Sequence, residues 1–222
     1  MIDDQLRDLI MKSSPAGFWR EISTRQEALY NEARSYSYNK ELWEATEAET
    51  VFPIALRAIF ENVVRRAAKL TQLKHFNMMH NGENYPYVLV KSGKLVITAH
   101  HVAGPSHFVR SAESRKQHAG VNEWLDTWVR PELLLHPVPN LREQGTVYLL
   151  ILHGQVREEV EGKEIHSSFL QVAIPDAELN KYRRVYHVRD LLQAYSQQEA
   201  AASVNVRIAD RAVPAIRKKE SK

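Results

Sequence analysis

Cysteine is absent from the 222 residues, which excludes disulfides and thiolate metal sites and fits a reducing compartment. Glycine-rich phosphate loops, dinucleotide fingerprints and the Gly-x-Ser-x-Gly elbow of serine hydrolases are missing too, so no nucleotide cofactor or activated serine is indicated. No apolar run approaches the roughly 20 residues that a membrane-spanning helix needs. A strong charge of one sign is also lacking. With 30 Lys+Arg against 27 Asp+Glu the net charge is only +3, so a basic partner surface has to come from clustering. The stretch from Met1 to Asp8 has neither the basic start nor the apolar run of a secretory signal. The expectation is a soluble cytoplasmic protein with no membrane partner.

Histidine is what the chain has in quantity, with 10 residues. None of them falls in a His-Glu-x-x-His or His-x-His pattern, and no acidic calcium loop accompanies them, so neither a metal nor a cofactor is predicted.

The most informative stretch runs from Tyr85 to Gly120. Tyr85–Lys91 and Lys94–Val102 are rich in β-branched and aromatic residues and flank Ser92-Gly93, the signature of a hairpin. A turn centred there pairs Val90 with Leu95 and Val88 with Ile97. Val88, Val90, Leu95, Ile97 and Ala99 then share one apolar face. His101 continues that face and His100 the other, so the adjacent pair cannot chelate one metal while the strand persists. Beyond Gly104-Pro105 lies a basic interval, read as a loop, holding His107, Arg110, Arg115, Lys116 and His118 against the single acid Glu113.

Before the hairpin the chain reads as helical. Asp3 or Asp4 can cap a helix reaching Lys12, and a second helix runs from Ala16 to about Tyr38 with a loop-like end at Ser35–Asn39. Pro53 fits the first turn of a third helix, extending to about Leu73. Its apolar stripe is Leu56, Ile59, Phe60, Val63, Ala67 and Leu70, and Arg57, Glu61, Arg65 and Lys69 form a solvated face.

After the hairpin, Val121–Arg130 reads as a short helix carrying Trp124 and Trp128, and Pro131–Asn140 as an irregular connector. Thr146–Val156 and Ile165–Ile174 form a second hairpin around a charged loop, with a turn at Glu161-Gly162. That register sets Ile151 opposite Val172 and His153 opposite Leu170, which makes His153 a buried, hydrogen-bonded histidine. Leu179–Arg189 is basic with interleaved tyrosines and leads into a helix. The tail holds a strand candidate at Val204–Ile208 and ends in a basic run.

Helices gathered before antiparallel hairpins predict an α+β fold: a helical region over 1–80, an antiparallel domain of four or five strands over 81–200, and a basic tail over 201–222. No catalytic motif is present. The functional expectation is a noncatalytic component that docks on nucleic acid or a protein partner through Arg110, Arg115, Lys116, His118, Lys181, Arg183, Arg184 and Arg189, with Tyr182 and Tyr186 available for stacking. The enzymatic alternative is a phosphodiesterase or nuclease using His100, His107 and Arg110. A structural subunit of an oligomer, a homo-oligomer included, using the tryptophans is the third.

Overall fold

The computed structural model describes residues 2–39, 44–79, 86–110, 112–125, 145–160 and 163–201. Trp128, the proline-rich connector, the Glu161-Gly162 turn and the tail with its strand candidate lie outside the described residues. Three helices come first: α1 (Ile2–Ser13), α2 (Ala16–Ser37) and α3 (Ala45–Leu70). Leu6 and Ile10 of α1, Phe18, Trp19, Ile22, Leu29 and Ala33 of α2, and Leu56, Phe60, Val64 and Ala67 of α3 are buried in one cluster, as helical spacing of apolar residues requires. The corner between α1 and α2 is held by Ser14. Its hydroxyl donates to the Ile10 carbonyl at 2.7 Å and accepts from Trp19 Nε1 at 2.8 Å.

Local signals fail at three helix positions. Asp3 and Asp4 fall inside α1 rather than capping it. α2 continues through Ser35–Ser37 despite their poor propensity, because Ala33 and Ser37 are wholly buried and tertiary packing outweighs a few tenths of a kcal/mol per residue. α3 starts at Ala45, well before Pro53, with the Glu47 carboxylate accepting the Glu44 N–H at 3.2 Å; Pro53 therefore sits inside the helix. α3 ends at Leu70 in a Schellman arrangement. The Leu73 N–H reaches the Ala68 carbonyl, the Gln72 N–H reaches the Lys69 carbonyl, and Gln72 takes the left-handed φ of 57°.

That cap turns the chain straight into a strand the sequence did not announce. Among the described residues the sheet has six strands in the order β1 (Lys74–Met78), β2 (Tyr87–Ser92), β3 (Leu95–His101), β4 (Val147–Val160), β5 (Lys163–Pro175) and β6 (Tyr182–His187). β1 and β6 are the edges. β1 buries none of its residues fully, so it lacks the apolar alternation by which half-buried strands are read. The predicted four or five antiparallel strands are thus a six-stranded mixed sheet within the expected α+β class, since β3 and β4 pair in parallel.

The β2–β3 register is Ser92↔Leu95 and Val90↔Ile97, a two-residue slip from the predicted pairing, with Gly93 at φ 56° in the loop. A slip of two preserves the faces. Val88, Val90, Leu95, Ile97 and Ala99 accordingly all join the helix-side core. The β4–β5 register is Ile151↔Val172 and His153↔Leu170, and pairing continues to Val160↔Lys163, so the described residues of the charged stretch predicted as a loop are strand backbone. β6 lies within the basic segment Leu179–Arg189, which was not read as a strand.

The parallel β3–β4 pair requires a crossover. Of its described residues, Val109 and Ala119 lie on the sheet face opposite α1–α3, Leu125 returns to the helix-side core, and the path includes α4 (Glu113–Ala119) and a 3₁₀ turn at Gly120–Asn122. The interval read as a basic loop is therefore partly helical: Arg115, Lys116 and His118 belong to α4. Val109 and Ala119 pack on Tyr148, Leu150 and Ala173 in a second buried cluster, while a further helix, α5 (residues 188–201), returns Val188, Leu191 and Tyr195 to the first. The first part of β4, Val147–Leu152, is consequently apolar on both faces, as a covered central strand should be.

Asn122 fastens the crossover. It is fully buried, donates to the carbonyls of Tyr148 (3.1 Å) and Pro175 (2.8 Å), and accepts the Tyr148 N–H at 2.8 Å. Asn122→Ala leaves those groups unsatisfied and should lower the unfolding free energy by about 2 kcal/mol, measurable as a reduced urea midpoint with unchanged slope.

Candidate functional site

Where β3 ends, a cleft opens between α3 and the crossover. β2 and β3 stop pairing beyond Val90↔Ile97. The Val88 N–H is instead taken by the Glu61 carboxylate at 2.7 Å. After His101 the Val102 N–H still bonds the His153 carbonyl at 3.0 Å. The chain then leaves the sheet while β4 runs on. The space so made, about 640 Å³, is walled by Arg57, Phe60 and Glu61 of α3, His100 and His101 of β3, His153 of β4, and His107, Arg110 and Arg115 of the crossover.

Each histidine is held differently. His153 is 2% exposed, lies parallel to the Phe60 ring at 3.7 Å between centroids, and has Nδ1 3.0 Å from the Tyr30 hydroxyl. Burial, reinforced by His101 and His100 nearby, keeps its pKa well below the ordinary value, so it stays neutral. His101 meets His153 edge-on at 5.4 Å, and desolvation lowers its pKa as well. His100 points to the opposite sheet face, as strand alternation demands. Arg115 Nη1 donates to its Nδ1 at 3.4 Å, so the proton sits on Nε2, which is 2.9 Å from Thr98 Oγ1. Thr98 in turn lies 2.6 Å from the Tyr148 hydroxyl. His107 lies against Gly104: a Cβ there would come 2.7 Å from His107 Nδ1, so the absent side chain is what seats the ring.

Glu61 departs most from expectation. It is 6% exposed, not part of a solvated face, and desolvation raises its pKa to about 7 against the opposing pull of the Val88 N–H, Arg57 and Arg65. Among the cleft's walls it is the one acid facing the three arginines, so the site carries a net positive charge whether Glu61 is protonated or not. Among the described residues no group of three or more histidines and carboxylates is arranged to hold a metal ion.

Of the residues singled out from sequence, His100, His107, Arg110 and Arg115 meet in this cleft. The others do not. Lys116 is exposed on α4, and His118 turns inward to the Tyr87 hydroxyl at 2.8 Å. Lys181, Arg183, Arg184 and Arg189 lie on or beside β6, outside the cleft walls. The basic crossover and β6 nevertheless abut: Phe108 stacks on Tyr182 at 4.2 Å, and the Val109 N–H donates to the Tyr182 hydroxyl at 3.1 Å. Tyr182 is thereby committed to protein contacts. A bulge opposite Ile174-Pro175 sends Tyr186 to the other sheet face, against the helix-side core. The two tyrosines cannot form one stacking platform.

Arg57, Glu61, His101 and His153 complete the site and were not among the predicted site residues. Their signal in the sequence is faint. Only the helix period that places Arg57 and Glu61 on one flank of Phe60 hints at them. The chain matches no protein-family model, no curated protein and no solved structure. Among the described residues no helix is long and apolar enough to cross a membrane.

Proposed function

We propose that the protein is a noncatalytic binding component whose cleft takes a ligand carrying a phosphate group. The observation that carries this reading is the convergence of Arg57, Arg110 and Arg115, from two separate parts of the chain, around a recess with a single acid on its walls. Guanidinium forks match phosphate oxygens geometrically, and a partly enclosed site strengthens the attraction by excluding water. A dianionic phosphate balances the three arginines when Glu61 is ionised. Lys181, Arg183, Arg184 and Arg189 take no part in it, so docking of nucleic acid along β6 is a separate event that a salt titration with oligonucleotides would reveal.

Calorimetric titration with inorganic phosphate tests the proposal. Arg115→Ala removes a charged donor and should weaken binding about 30-fold, the equivalent of about 2 kcal/mol. Equal affinity of the variant and the parent would mean that phosphate binds elsewhere.

One observation favours hydrolysis of a phosphate ester as a second reading. Glu61, poised near neutrality, and a neutral His101 face the same cleft, and pairs of titratable groups with shifted pKa values are what acid–base chemistry uses. His100 is poorly suited to the role of base assigned to it from sequence, because Arg115 and Thr98 occupy both of its ring nitrogens. Turnover of bis(4-nitrophenyl) phosphate that disappears in His101→Ala but survives His100→Ala would support this reading. Absence of turnover leaves binding alone.

A further inference from the structure

A second recess adjoins the cationic one. It measures about 500 Å³ and is lined by Pro53, Ile54, Arg57, Ala58, Glu61, Arg65 and Pro86. Pro53, Arg57 and Glu61 are common to both recesses, so the two adjoin along one flank of α3, with Arg57 and Glu61 at their shared wall. Their characters differ sharply. The cationic recess presents histidine and arginine side chains. The second presents two proline rings, the Ile54 side chain and the Ala58 methyl beside Arg57, Glu61 and Arg65. Ile54 is 46% exposed, so this apolar surface is offered to solvent rather than used in the core.

The helix makes the pairing unavoidable. Pro53, Ile54, Arg57, Ala58 and Glu61 are spaced at three and four residues along α3, which places them on one continuous strip of the helix surface. The strip begins apolar and ends at the carboxylate that caps the splayed β2 strand. Arg57, in the middle, borders both halves.

Building on the phosphate reading above, we infer that the natural ligand is bipartite: an organic phosphate whose phosphate sits among Arg57, Arg110 and Arg115 and whose apolar, ring-bearing portion lies against Pro53, Ile54, Ala58 and Pro86. Binding sites of this size ordinarily combine an apolar wall with a few placed polar groups. Here the two functions are separated into adjoining compartments. A bare phosphate uses only half of the site. The apolar half supplies affinity through area removed from water, and the arginines fix the ligand's orientation.

The test compares phenyl phosphate with inorganic phosphate by calorimetry, in the parent protein and in Ala58→Trp, which fills the apolar recess from an exposed helix position. Phenyl phosphate should bind the parent about 10- to 100-fold more tightly than inorganic phosphate, the range expected for burying most of an aromatic ring. In Ala58→Trp the advantage should fall below about 3-fold with inorganic phosphate affinity preserved, which also shows the variant to be folded. Equal affinity of the parent for the two ligands overturns the bipartite ligand and leaves the phosphate site standing. An advantage that persists in Ala58→Trp places the ring elsewhere and likewise overturns the inference. Failure of both ligands to bind removes the phosphate reading and this one with it.

Discussion

Gly154→Ala should cost about 3 kcal/mol or more of folding stability, the upper end of what overpacking does in a buried site. A Cβ at this position would collide with the Val102 carbonyl oxygen and lie 2.5 Å from the Phe169 ring. One obstacle is backbone at the end of β3. The other is the ring of the residue directly opposite in β5, as the pairing Gly154↔Phe169 shows. Neither can retreat independently: Val102 is tied to the His153 carbonyl by its own N–H, and Phe169 packs into the crossover-side core. The consequence reaches the candidate site, because the close approach at Gly154 is what lets the chain turn off β3 immediately after His101 and carry His107, Arg110 and Arg115 over the cleft. Chemical denaturation of the variant would show the loss as a lowered midpoint. A change below about 1 kcal/mol would mean that the end of β3 adjusts freely and does not fix the position of the crossover over the cleft.

Glu61→Gln should change how stability depends on pH. The carboxyl is raised from 4.5 in the unfolded chain to about 7 in the fold, so its contribution to stability is fully present below pH 4.5 and is lost as pH rises to 7. The interval corresponds to about 3 kcal/mol. Glutamine does not titrate and keeps an acceptor for the Val88 N–H. The stability of the variant relative to the parent should therefore rise by up to about 3 kcal/mol between pH 4.5 and pH 8, read from urea unfolding at several pH values. A difference that stays constant would show Glu61 to be ionised with an ordinary pKa. His153 acts on the other limb. Its pKa is depressed, so its contribution is present above the unfolded histidine value of 6.5 and is lost as pH falls below it. Together the two groups oppose each other between pH 4.5 and 6.5, so their combined contribution is greatest in that interval and lower at pH 7, where that of Glu61 has been lost.

The sheet faces were legible wherever one side of a strand is apolar. Val88 to Ala99 could be assigned to the core despite a register misplaced by two residues, because side-chain alternation is insensitive to an even slip. Ile151 and His153 were placed opposite their true partners, Val172 and Leu170, by the hairpin register read from the sequence. Edge strands escaped for the complementary reason. β1 carries Lys74, His75, Phe76, Asn77 and Met78 with no buried face, and β6 is basic and bulged, so neither shows a period. The parallel pairing of β3 with β4 was illegible because it depends on a crossover whose length says nothing about which side it takes.

For the site, proximity in sequence worked and proximity in space did not. His100, His107, Arg110 and Arg115 could be grouped because they follow one another along β3 and its exit. Arg57 and Glu61 arrive from α3, and Glu61 looked like half of a surface ion-pair ladder. Its burial follows from a fact visible only in three dimensions: β2 and β3 separate above Val90, and the donor they expose needs an acceptor.

Whether the cleft is an anion site is tested most directly by an NMR titration with inorganic phosphate that follows the imidazole and guanidinium signals. An anion site predicts saturable shifts at His101, His107, Arg110 and Arg115 with a common dissociation constant, and none at His75 or His187, which lie on β1 and β6 away from the cleft. Shifts confined to the β6 arginines, or no saturable shift at any histidine of the cleft, would contradict it.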